Sequence, residues 1–249
     1  MVKWIATYGA AGLLCLRVAH ADTAIEARSD PASTQSSEYE RLMAVARKLQ
    51  APSRRASGAL DISAHPSIGS ATAPLILVEF GSYECPYCRR HLLETFPDIK
   101  RDYIDPGRVR YVFFDFVLDP EHTYAQAAAE AAHCAAEQGK YSEFRQLLYR
   151  NQKALAPMFL EAHAETVGIQ VAPFRECVES ARYRAKVQAD LNLSKTLRIR
   201  GTPTFFLGHL KDGGRKAEIA HRISGSRPFE LFAEHFDALE AKHAQLGLN

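Results

Sequence analysis

The chain of 249 residues reads as an α/β protein whose mixed sheet is interrupted by a long all-helical stretch. Three observations predict this. An apolar run, Leu75-Ile76-Leu77-Val78-Glu79-Phe80, leads into Cys85-Pro86-Tyr87-Cys88, which opens a helical segment. A second strand rich in Val, Tyr and Phe follows the turn Asp105-Pro106-Gly107, as in a β-α-β unit. Far downstream come a strand at Thr204 to Leu207, a Gly-containing turn and a partner strand, and between these halves the pattern is helical throughout.

Taken in order, the chain begins Met1-Val2-Lys3, runs largely apolar from Trp4 to Val18 with Arg17 as its one charged interruption, and reaches the small-x-small site Ala19-His20-Ala21. This pattern predicts a secretory leader over residues 1–21, too short and too polar-ended to span a membrane well. Cys15 follows Leu14 rather than a small residue, so it is expected to leave with the leader, and four cysteines remain in a compartment that permits disulfides. Loss of Lys3 and Arg17 with no acid takes the net charge from +2 to about zero, which argues against nucleic acid or anionic membrane as partners.

Residues 22–58 are polar and contain one helix, with a capping box at Ser37 to Glu40 and an apolar stripe from Tyr39 to Leu49, before a linker at 51–58. That stripe packs on its own domain or associates with a partner. An extended segment near Ala59 to Ile62, a Pro- and Gly-punctuated loop from His65 to Pro74, the first strand, a helix from Pro86 to Tyr103 with a kink at Pro97, and a strand from Val109 to Val117 make up residues 59–118. Five helical segments fill 119–198: Ala125 to Gly139, Tyr141 to Gln152, Pro157 to Val167, Val171 to Ser180 and Ala181 to Leu197. The last part, 199–249, supplies Thr204 to Leu207, a turn at Asp212-Gly213-Gly214, Ala217 to Ile223 and a closing helix from Arg227 to Gln245. A β-α-β unit, a helical insertion and then β-β-α together predict a thioredoxin fold with an inserted all-helical domain.

The C-x-x-C at a strand-to-helix junction carries the chemistry. A Cys85 thiolate near the unpaired N–H groups and positive dipole end of a helix has its pKa lowered, and Cys88, one turn further in, is placed to close the ring or resolve a mixed disulfide. Zinc normally takes four ligands, and no second C-x-x-C is present, His91 adding one possible donor only. Covalent haem needs a histidine after the second cysteine, where Arg89 stands. A purely structural role gains little from so short a loop. The ten histidines show no ligand spacing and are expected at the surface or as caps.

Three ordered segments, Val78 to Cys88, Ala131 to Phe144 and Arg200-Gly201-Thr202-Pro203-Thr204-Phe205-Phe206, resemble the DsbA-like thiol:disulfide oxidoreductases of the bacterial periplasm. The resemblance implies a cis-proline at Pro203 facing the two cysteines, with the Thr202 backbone free to pair with an extended substrate. It implies that Glu79 is a buried carboxylate that handles the proton of Cys88, and that Pro86 and Tyr87 tune the potential. Some relatives carry a second disulfide in the helical domain, which suits Cys134 with Cys177, although two free buried thiols would also suit the sequence. A bridge closing that loop would stabilise by about 4 kcal/mol on chain-entropy grounds.

The expected function is disulfide formation in extended, newly exported polypeptides with free thiols. The protein is then a periplasmic monomer with no cofactor or metal, reoxidised by a membrane redox partner. A disulfide isomerase or reductase of the same fold is the alternative within the class. A periplasmic thiolate metal carrier is the alternative outside it.

Overall fold

The computed structural model describes residues 59–117 and 122–245; the leader, the stripe at Tyr39 to Leu49, its capping box and the linker lie outside them. A six-stranded sheet has the order β1-β6-β5-β3-β4-β2. Its strands are β1 (Ala59–Asp61), β2 (Ser67–Ile68), β3 (Leu75–Gly81), β4 (Val109–Asp115), β5 (Thr204–Lys211) and β6 (Lys216–Ser224). β3 is parallel to β4 and antiparallel to β5, so it is central and covered on both faces. That position explains why its sequence is an apolar run rather than an alternation. The short β1 and β2 close the edges. β2 lies where the sequence suggests only a loop; two residues, Ser67 and Ile68, pairing with Val112 and Tyr111 are too few to leave a periodic signal.

The two faces of the sheet have different tasks. Ile76, Val78 and Phe80 point with Val112, Phe114 and Phe206 into one core, against Leu193 and Leu197 at the end of α7 (Arg184–Thr196). Glu79 faces the other way, alternating with Val78 and Phe80 as strand geometry requires, in register with Phe113 of β4 and Phe205 of β5. This second face is covered by the helix that begins at the C-x-x-C and by the closing helix α8 (Phe229–Gln245), whose Phe232 and Phe236 are fully buried.

The C-x-x-C helix is not regular. It consists of α1 (Pro86–Arg90), a π-helical turn at His91–Thr95, α2 (Phe96–Ile99) and a second π-helical turn at Lys100–Ile104. The kink expected at Pro97 takes this form. The proline ring would meet the carbonyl four residues back, and the wider π turn just before it relieves that conflict. Between β4 and β5 come α3 (Ala125–Glu137), α4 (Tyr141–Arg150), α5 (Pro157–Thr166), α6 (Val171–Glu179) and α7. Cys134 of α3 is disulfide-bonded to Cys177 of α6, and both are buried.

Candidate active site

Residues 82–85 leave β3 through a tight bend, in which the Cys85 N–H donates to the Ser82 carbonyl at 3.1 Å. Cys85 is then the N-cap of α1, with φ −73° and ψ 120°, and Pro86 occupies the first helical turn, where its missing N–H costs nothing. The bend is clamped from the helical insertion: Gln152 Nε2 donates to the carbonyls of Tyr83 at 2.7 Å and Cys85 at 2.9 Å. Arg89 Nε reaches back to the Tyr149 carbonyl at 3.1 Å. Sequence reasoning missed both residues, because a side chain that bonds a distant backbone leaves no local pattern.

Opposite the cysteines the Thr202-Pro203 peptide is cis, and the Cys85 thiol points at the Thr202 carbonyl at 3.4 Å. The Cys85 thiol is lowered to about 5. The main cause is the hydrogen bond from Cys88; the Thr202 side chain and the backbone N–H groups of Cys88 and Tyr87 add to it, against the opposing cost of burial. The helix start thus contributes, as the sequence suggests, but the neighbouring thiol contributes more. Cys85, which a nucleophile open to clients would lead one to expect at the surface, is only 4% accessible. Tyr87, 56% exposed, stands outside the pair under the guanidinium of Arg90.

Cys88 is fully buried and its thiol is pushed well up, first by burial, then by its hydrogen bond to Cys85 and by the charge of Glu79. The two sulfurs therefore differ strongly: one is held as thiolate at neutral pH, the other as thiol.

Glu79 is buried beneath them. Its Oε2 accepts from the Tyr111 hydroxyl at 2.7 Å and from Arg145 Nη2 at 3.1 Å, while Oε1 has no partner among the described residues. Burial raises its carboxyl, with Arg145 and Tyr111 pulling the other way. Gly81 keeps this corner open, because a Cβ there would stand 2.6 Å from the Phe113 ring and 3.0 Å from Glu79 Oε1. Arg145 comes from α4, is fully buried, and sits within 4.9 to 5.2 Å of the ring centres of Phe96, Tyr111, Phe113 and Tyr149. It ties the helical insertion to the carboxylate under the thiols. An arginine in an amphipathic helix reads as a surface residue, so nothing in the sequence marks it.

The histidines also differ from expectation. His91, three residues after Cys88, is 0% exposed, lies 4.4 Å from the Phe205 ring and 5.4 Å from Phe232, and has no hydrogen-bond partner on either nitrogen among the described residues. Burial, helped by the charge of Arg145, lowers it to about 3, so it packs as a neutral aromatic. His133 is buried too, bonded to Asp115 Oδ2 at 2.8 Å. Among the described residues no group of three or more His, Cys, Asp or Glu side chains is gathered as for a metal ion.

A family model described as Thioredoxin matches residues 62–218. Disulfide bond formation protein D of Bacillus subtilis is 27% identical over 157 residues, which cover 61% of this chain and 71% of that protein. An Na(+)/H(+) antiporter, NhaA 3 of Salinispora tropica, is 36% identical over 146 residues, 59% of this chain, but the chain spans only 22% of that antiporter's length. The crystal structure of alpha-DsbA1 from Wolbachia pipientis superposes with a TM-score of 0.64 at 26% identity, covering 74% of this chain and 94% of that one.

Proposed function

The chain belongs to the thioredoxin family, as a DsbA-like thiol:disulfide oxidoreductase, and we propose that it works in the oxidising direction, introducing disulfides into extended polypeptides outside the cytoplasm. In this reading residues 59–118 and 199–249 form the redox domain and 119–198 an insertion that covers it. A client thiolate attacks Cys85 Sγ of the Cys85–Cys88 disulfide, forming a client–Cys85 bond and releasing Cys88, which takes up a proton by way of Glu79. A second client thiolate then attacks the client sulfur of the mixed disulfide, and Cys85 leaves as a thiolate. The client loses two electrons to the Cys85–Cys88 pair. A membrane redox partner takes them on.

What supports the oxidising direction is the place of Cys85 at the start of α1, beside the Cys88 thiol and the backbone N–H groups of Tyr87 and Cys88, which lowers its thiol to about 5. A thiolate that stable is a good leaving group and stabilises the reduced enzyme, which makes the disulfide form a strong oxidant. Thr202 and Pro203 flank the client's path, and Pro86 and Tyr87 set the electronic surroundings of the pair. Nothing of the antiporter's activity is carried over, since the match is confined to a small part of it.

Two assays on the same preparation test the direction: refolding of a reduced client by the oxidised protein, and unscrambling of a misbridged client by the reduced protein, with solution mass measured alongside. Rapid oxidation by a monomer is expected. Unscrambling by a dimer or trimer, lost on deletion of residues 22–58, would favour the isomerase instead.

A further inference from the structure

Beside the cysteine pair lies a cleft of about 670 Å³ that shares Tyr87 and Thr202 with the redox site. Five arginines line it, Arg90, Arg198, Arg200, Arg222 and Arg227, and no acidic residue does. None of the five is paired with a carboxylate among the described residues. Their contacts are with neutral groups: Arg90 Nε with Ser226 Oγ at 3.4 Å, Arg227 Nε with the Ser224 carbonyl at 3.0 Å, and Arg222 with the carbonyls of Leu197 and Arg198, both at 3.3 Å. For a chain whose formal net charge is only +2, five arginines around one cleft with no carboxylate partner among the described residues are a local concentration, not a general property of the surface.

Arg198 supplies a second, independent observation. It follows α7 in a Schellman-type ending, with the Ile199 N–H on the Ser194 carbonyl at 2.9 Å and the Arg198 N–H on the Lys195 carbonyl at 3.0 Å. That position requires the left-handed backbone, and Arg198 has φ +53°, where glycine or asparagine is the comfortable residue. An arginine thus stands where any side chain strains the backbone, and it lines the cleft beside the thiol.

We infer that this cleft selects clients, favouring polypeptides whose cysteine is flanked by Asp and Glu. Guanidinium groups bind carboxylates in paired, planar contacts, and a cleft lined by one sign of charge concentrates the opposite sign and speeds encounter. Thr202 lines the cleft and its carbonyl faces the Cys85 thiol, so a polypeptide whose acidic flank sits in the cleft brings its own cysteine beside the pair. The inference rests on the disulfide exchange proposed above and names its preferred substrate class.

The test uses the oxidised full chain and three peptides of equal length with one cysteine pair, flanked by acidic, neutral or lysine-rich residues. Rates of thiol loss are measured at low and high salt for the unchanged protein, for Arg200→Glu and for Arg198→Gly. The unchanged protein is expected to oxidise the acidic peptide at least about tenfold faster than the lysine-rich one at low salt, a gap that narrows as salt screens the cleft. Arg200→Glu should reverse or abolish that order. Arg198→Gly removes a charge at a position whose backbone glycine fits better, so a smaller acidic preference there cannot be put down to poor folding. Differences in the peptides' own thiol reactivity cancel when the proteins are compared. An acidic-to-basic rate ratio that is the same in all three proteins overturns the inference while leaving disulfide exchange intact; oxidation of no peptide by any of them overturns the exchange reaction on which it rests.

Discussion

His91 carries a stability liability that the sequence conceals. Its folded value of about 3 lies below the ordinary histidine value of 6.5, so between those two values the unfolded chain binds a proton that the native one refuses. Stability therefore falls as pH drops through this window, by about 1.4 kcal/mol for each pH unit crossed. Replacement by phenylalanine, which suits a pocket of Phe205, Phe232 and Phe96, should flatten the acid limb of a urea-unfolding series measured against pH. An unchanged slope would mean that the imidazole is not kept neutral. Arg145 and Glu79 behave as a coupled pair in the same layer. Removing one partner of a buried ion pair strands the other, so Arg145→Met should cost about 3–5 kcal/mol, and adding Glu79→Gln should recover much of it. Strict additivity of the two changes would show that the pair does not interact.

The elements were largely legible in the chain, for reasons that also explain the exceptions. β3 and β4 are covered on both faces and so announce themselves as apolar runs, and the five inserted helices keep helical periodicity. The C-x-x-C stands out as a thiol pair at a helix start and Glu79 as an acid in an apolar strand, whereas the site role of Glu79 and that of Thr202-Pro203 follow from the resemblance to the DsbA-like proteins. Arg145, Gln152 and the burial of His91 could not be picked out, because Glu79 lies 66 residues from Arg145, the Cys85 carbonyl 67 from Gln152, and Phe205 and Phe232 more than a hundred from His91. The π turns were half legible, as the kink at Pro97. The bridge between α3 and α6 closes a 43-residue separation within the inserted helices. Replacing Cys134 and Cys177 together by alanine is expected to lower stability by about 4 kcal/mol while leaving client oxidation largely intact. Loss of activity in step with a Cys85 variant would mean that this pair passes electrons.

For the molecule as a whole, the redox state and the stability are linked through one proton. In the reduced protein the Cys85 value is lowered from an unfolded value near 9 to about 5, a contribution that is absent below the folded value, grows as pH rises between the two, and is complete above the unfolded one. The disulfide form has no such group. The melting temperature of the reduced protein relative to the oxidised one should therefore rise from pH 5 to about pH 8, below the range in which Cys88, the other thiol absent from the disulfide form and itself pushed well up, begins to oppose it. A difference independent of pH would separate the thiolate from the energetics of oxidation.

Disulfide exchange at this site turns on that thiolate, and the most direct measurement is the ultraviolet thiolate absorbance of the reduced protein as pH is raised from 3 to 9. The intact pair is needed, because the hydrogen bond from Cys88 is the largest cause of the shift and a Cys88→Ala protein would have lost it. One thiolate should appear with a midpoint near 5, while Cys88 stays protonated through neutral pH. A first midpoint at or above about 8.5, the value of a free cysteine, would contradict the account.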